Sequence, residues 1–191
     1  MKSIFHLPKK HNMEFIDLLK YIAIETSNRG IGFGITRLIE LAYLSEIYNY
    51  RKNNKRLTNI IWYYYKFGPY PLDQQESIKS LPFEEEDFNN VSFNKIDIES
   101  LGKKPELDQS SKFIVDKVIS KYSKMNLEEL LDYIYYDTEP MMFTNERGEI
   151  LDFSKVRPED EFVIKEVTLS KKQKEEIQKK ASERFKLARQ I

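Results

Sequence analysis

The stretch 34–47, reading Gly-Ile-Thr-Arg-Leu-Ile-Glu-Leu-Ala-Tyr-Leu-Ser-Glu-Ile, constrains the fold more than any other. Ile35, Leu38, Ile39, Ala42 and Glu46 recur at helical spacing, and Leu41, Leu44, Ile47 and Tyr48 form a second apolar set. A helix that is apolar around most of its circumference must be wrapped by other elements. Arg37, Glu40 and Glu46 interrupt the run, so it is a central core helix and not a membrane span. The next informative string is 61–71, Ile-Trp-Tyr-Tyr-Tyr-Lys-Phe-Gly-Pro-Tyr-Pro. Its aromatic and β-branched character predicts a strand over 57–67, stopped at Gly68-Pro69 because proline cannot donate to a ladder. The segment 91–98 alternates apolar and polar residues imperfectly and is expected to pair with that strand as a hairpin.

Helices are expected on either side. One runs from about Asn12 to Ser27 with Phe15, Leu18, Leu19 and Ile22 inward, and Gly30, Gly32 and Gly34 then form a helix cap and turn. That glycine pattern is not a phosphate loop, since no strand precedes it and no Gly-Lys-Ser/Thr follows. A short helix follows Asp73, and Glu84 to Asp87 reads as a solvated acidic turn. Asp108 caps a helix with Phe113, Ile114, Val118 and Ile119 inward; Asn126 starts another with Leu127, Leu130, Leu131 and Ile134 inward. Residues 143–167 read as a polar connection with a possible short strand at 162–164. Residues 170–189 read as a charged helix with a thin stripe of Ile177, Ala181, Phe185 and Ala188. The expected class is therefore mainly α with a small β-hairpin (α+β), a compact helical domain around a buried central helix plus a charged C-terminal helix. Its parts are an interaction domain over 1–145, a connecting segment over 146–169 and the terminal helix over 170–191.

Charge and composition narrow the functional classes. The 31 basic and 31 acidic residues cancel, but 171–191 holds eight basic residues against three acidic ones. The other 170 residues carry five more acidic than basic groups, which disfavours a broad nucleic-acid surface outside the tail. Cysteine is absent, so disulfides and thiolate chemistry are excluded. The only histidines, His6 and His11, have no acidic neighbour at ligand spacing. Asp137 and Glu139 stand in a helix-ending turn before Pro140 with no partner base or nucleophile. No catalytic residue, metal site or cofactor is expected. No signal core or transmembrane span is legible, and a cytoplasmic location follows as the default. Five aromatics on one predicted strand cannot all face a core, so one face is expected to be a contact surface.

The order of these pieces resembles the Panacea domain, the SocA-like antitoxin-associated domain. Arg37, Leu38, Leu41, Tyr43 and Leu44 match its Lys/Arg-Leu-x-x-Leu-x-Tyr helix. Tyr65, Phe67, Gly68 and Pro69 match its aromatic-x-aromatic-Gly-Pro turn, and Pro140-Met141 matches its closing proline. The resemblance covers about 12–145. It departs where the family often carries a Thr-His or Ser-His pair, since Tyr136, Asp137 and Thr138 stand here, and 146–191 has no counterpart in the minimal domain. The resemblance implies a non-catalytic protein-interaction module, an antitoxin or antitoxin-like regulator that neutralises a partner toxin by contact or delivers it for proteolysis. The contact is expected at Tyr63, Tyr65, Phe67, Gly68, Pro69 and Tyr70. The alternative is a nucleic-acid-associated transcriptional regulator with a winged-helix-like unit, binding nucleic acid through the basic tail.

Overall fold

The long apolar stretch folds as a 19-residue helix, Ile35–Asn53, in a computed structural model that describes residues 13–32, 34–88 and 91–158. The chain divides into two units, Met1–Pro158 and Glu159–Ile191, and every element named below belongs to the first. Before the central helix comes α1 (Phe15–Asn28), and the central helix is α2. Gly30, at φ +71°, donates its N–H to the Ser27 carbonyl while Ile31 donates to the Thr26 carbonyl, the paired bonds of a left-handed glycine cap. The glycine-rich link is thus the helix stop and turn that its composition predicts. Asn54, in the left-handed region, closes α2 at its other end.

Helices α4 (Gln109–Tyr122) and α5 (Leu127–Asp137) complete the ring around α2, followed by the one-turn α6 (Glu139–Met142). Their caps are those expected: the Asp108 carboxylate accepts from the Ser110 and Ser111 amides, and the Asn126 side chain from the Glu128 amide. Leu38, Leu41, Ala42, Tyr43, Leu44 and Ile47 are all fully buried, so α2 is enclosed between Leu38 and Ile47. Ile114, Val118 and Ile119 face inward as expected, but Phe113 is 55% exposed and Leu127 38% exposed. The buried face of α4 runs through Ile114, Val115, Val118, Ile119 and Tyr122, which turns Phe113 onto the flank, where the Lys52 ammonium lies 4.3 Å from its ring centroid.

The class stands as expected, mainly α with small antiparallel β, but the strands differ from the sequence reading. Residues 57–62 form no ladder. The buried Glu46 carboxylate accepts the Leu57 amide (2.6 Å), the Thr58 amide (3.1 Å) and the Thr58 hydroxyl, and the Asn49 side-chain amide donates to the Lys55 carbonyl at 2.7 Å. Backbone donors turned toward α2 in this way are not free to pair with a strand. Trp62 continues into the core, edge-on to Phe15 and Tyr43 at 5.9 and 5.3 Å.

The ladder itself is β1 (Tyr63–Tyr65) against β2 (Gly68–Tyr70), with Tyr63 opposite Tyr70, Tyr64 opposite Pro69 and Tyr65 opposite Gly68. The Gly-Pro pair is therefore the return strand and not a stop. Pro69 is tolerated because it sits opposite Tyr64 at a non-hydrogen-bonded position, where its nitrogen faces the sheet edge. The segment 91–98 pairs with the stretch expected as an acidic turn: β3 (Phe83–Phe88) and β4 (Val91–Ile96) form a second hairpin. Between the hairpins lies the short α3 (Gln75–Lys79).

Residues 146–158, expected as part of a connecting segment, pack within the first unit: Leu151, Phe153 and Val156 are buried in the common core. Tyr43 and Tyr50 meet the Phe153 ring at 6.0 Å each, and the Arg56 guanidinium lies 4.3 Å over it. His6, His11, Asn12, the strand expected at 162–164 and the charged helix expected over 170–191 lie outside the described residues. Among the described residues no helix is long and apolar enough to cross a membrane.

Candidate partner-binding site

A two-residue turn, Lys66-Phe67, brings the six aromatic-turn residues into one hairpin. Alternation along β1 sends Trp62 and Tyr64 toward the helices and Tyr63 and Tyr65 toward the outer face. The Tyr64 ring packs edge-on against Tyr135 of α5 at 5.8 Å. The Tyr135 hydroxyl clamps the turn: it accepts the Gly68 amide at 2.9 Å and donates to the Tyr65 carbonyl at 3.0 Å. Gly68 is required here twice over. Its φ is +106°, and a Cβ there would stand 3.2 Å from a Leu131 methyl.

The other edge of β1 is also occupied. Tyr64 donates to the Glu149 carbonyl and accepts from the Gly148 amide, and Leu151 donates to the Trp62 carbonyl, at 2.8, 2.9 and 2.8 Å. Ile150 thereby lies opposite Tyr63. Tyr70, Tyr63 and Ile150 lie in a row across three backbones with Tyr65 beside them; the tyrosines are half-buried, and Tyr70 also packs against the core. Tyr65 and Tyr70 rings are 5.8 Å apart, and Arg147 covers Tyr65, its guanidinium 4.4 Å from the ring centroid and donating to the hydroxyl at 2.7 Å. Tyr63 donates to Asp73 at 3.0 Å, a bond that raises its phenol pKa; burial does the same at Tyr70. Phe67 at the tip is 57% exposed and Ile150 60% exposed, whereas Gly68 and Pro69 are buried.

Beside the hairpin runs a groove of about 400 Å³ between α2, α3 and the start of β3. Tyr65, Phe67, Gly68, Pro69 and Tyr70 form one wall; Ile35, Thr36, Ile39 and Glu40 of α2 face them, and Ile78, Lys79 and Phe83 close the groove. Five of the six expected residues therefore share one groove; Tyr63 stands on the outer face of the same hairpin. Glu40 is 1% exposed, and neither carboxylate oxygen has a hydrogen-bond partner among the described residues. Burial pushes its pKa up to about 8, partly offset by Arg37.

Nothing in the sequence marks Tyr135, Arg147 or Ile150 as site residues, since they come from chain far from the hairpin. For Glu40 the one signal is a carboxylate set between Ile39 and Leu41 in the apolar stretch of α2.

The wider scaffold explains the motif positions. Tyr43 of α2 shares a hydrogen bond of 3.1 Å with Thr138 at the α5–α6 junction. Arg51 donates to the Asp137 carbonyl and the Glu139 carboxylate, both at 3.0 Å. The helix motif and the closing Thr-Glu-Pro turn are thus one bonded assembly. The profile of the family described as "Antitoxin SocA-like, Panacea domain" matches residues 38–140, more than half the chain. The chain belongs to this family. The match to the Panacea domain begins within α2 and ends at Pro140, so α1 and the pairing segment at 148–151 lie outside it although both pack with it. No curated protein and no solved structure is significantly similar to this chain.

Proposed function

We propose that this Panacea-domain protein is a non-catalytic antitoxin or antitoxin-like regulator that neutralises a partner toxin by direct contact through the aromatic hairpin and its groove. The observation that carries the reading is the row Tyr70, Tyr63 and Ile150 with the exposed Phe67 tip, on a domain of an antitoxin-like family. Interfaces draw most of their energy from a few aromatic anchors set in a polar surround. Here Arg147, Asp73 and Lys66 supply that surround. The hairpin is braced on both sides, by Tyr135 and by 148–151, so little ordering cost remains for binding. A nucleic-acid reading is weaker, because β3 carries Glu84 to Asp87 in succession and a wing of that sign repels phosphate.

The test is co-expression of the full chain with the product of the neighbouring reading frame, scored by growth. Wild type is expected to restore growth. Phe67→Asp, verified as folded by circular dichroism, is expected to lose that protection, as a hot-spot change of about 2 kcal/mol weakens binding roughly thirtyfold. Full protection by the folded variant would refute the assignment of this surface.

A further inference from the structure

We infer that Glu40 is an anchor for an arginine side chain of the partner protein, inserted into the groove between α2 and the aromatic hairpin. The inference rests on the preceding reading of this surface as the partner site and goes further by naming what the partner must present there.

Buried carboxylates are normally paired or hydrogen-bonded, because removing them from water without compensation is costly. Glu46, further along α2, obeys this rule through Leu57, Thr58 and Arg56. Glu40 has no such partner among the described residues, although it is as deeply buried. Among the described residues, the cations nearest to it have other partners. Arg37, on its own helix, donates to the Ser123 carbonyl at 2.8 Å; Lys79 from α3 is paired with Glu76 at 2.8 Å; the hairpin contributes the phenols of Tyr65 and Tyr70.

The groove wall also suits the cation. Guanidinium is planar and weakly hydrated, binds carboxylate in a bidentate fork and stacks on aromatic faces. Tyr65, Phe67 and Tyr70 offer such faces, and Tyr65 already receives the guanidinium of Arg147 at 4.4 Å. The groove volume of about 400 Å³ lies within the ~300–1,000 Å³ of ligand-sized pockets, ample for a single side chain. Arrival of the guanidinium would complete the carboxylate's missing bonds and favour its ionised form, the proton passing to water.

The experiment follows the Glu40 carboxyl by NMR in the full chain with ¹³C-labelled glutamate, assigned with Glu40→Gln. The probes are N-acetyl-arginine amide and its neutral citrulline analogue. In the chain alone Glu40 is expected to titrate well above an ordinary glutamate. Arginine amide is expected to lower that pKa by about one unit or more, the effect of an adjacent opposite charge, and the citrulline analogue to leave it in place. Equal responses to both probes, or none at saturating arginine amide, overturn the anchor. So does a Glu40 already ionised in the chain alone, since a cation of the chain itself would then hold the place. Growth protection reports separately: a wild-type chain that protects while ignoring arginine amide refutes the anchor and leaves the proposed function standing. A chain that binds arginine amide at Glu40 while Phe67→Asp still protects refutes the hairpin as the toxin contact and, with it, the assignment of the arginine to the toxin.

Discussion

Replacing Glu40 by glutamine removes a titration that the fold works against. The folded-state pKa is raised from 4.5 to about 8, so the native state holds its proton longer than the unfolded chain does. Below pH 4.5 both states are protonated and Glu40 contributes no pH dependence. As pH rises from 4.5 toward 8 the unfolded chain ionises while the native carboxyl does not, so wild-type stability falls across that window. Each unit of separation is worth about 1.4 kcal/mol. The penalty should therefore be under about 1 kcal/mol near pH 5 and about 3 kcal/mol at pH 7. Glutamine resembles the protonated form in shape and charge, so Glu40→Gln should gain that difference over wild type as pH rises. Urea denaturation of both proteins at pH 5, 6, 7 and 8 is the assay, with the midpoint difference multiplied by the common slope. Glu46 is present in both and cancels. Parallel stability curves, with an offset that does not change between pH 5 and pH 8, would refute the reasoning, for they would mean that Glu40 ionises as readily in the folded protein as in the unfolded one.

Three other outcomes are expected from the same structure. Gly68→Ala should cost about 2–4 kcal/mol, combining strain at φ +106° with the 3.2 Å approach to Leu131, read as a lower urea midpoint. Tyr135→Phe should cost about 1–3 kcal/mol and speed amide exchange at Gly68, because the hydroxyl that clamps the turn is lost; unchanged exchange would mean the clamp is idle. Phe153→Ala should cost about 3–5 kcal/mol, since its ring meets Tyr43, Tyr50 and Arg56 in the core; a loss below about 0.5 kcal/mol would return residues 146–158 to the role of a loose connection.

The features that the sequence determined by itself are those whose cause is local. The periodicity of Ile35, Leu38, Ile39 and Ala42 dictates a helix, and its second apolar set dictates burial on several sides. Asp108, Asn126 and Gly30 mark helix ends because capping needs only the next few residues. The aromatic stretch was legible as a strand, and so was the division of Tyr63 and Tyr65 from Trp62 and Tyr64 by alternation, but its return through Gly68–Tyr70 was not. Nor was its register. Residues 57–62 have strand composition, but Glu46 of α2 takes the amide donors of Leu57 and Thr58, and that competition is decided only once the helix is in place. Glu84 to Asp87 has the composition of a solvated turn, yet pairs with Asn94, Phe93 and their neighbours because a nearby strand of matching length exists. The segment at 148–151 reads as polar connection; it becomes a third row beside β1 only because folding carries it back to the open Tyr64 amide and carbonyl. Glu40 shows the division most clearly. The letter in the helix was visible from the start, but whether a carboxylate is solvated, paired or buried alone depends on what packs over it, and in this chain that is the hairpin, α3 and β3.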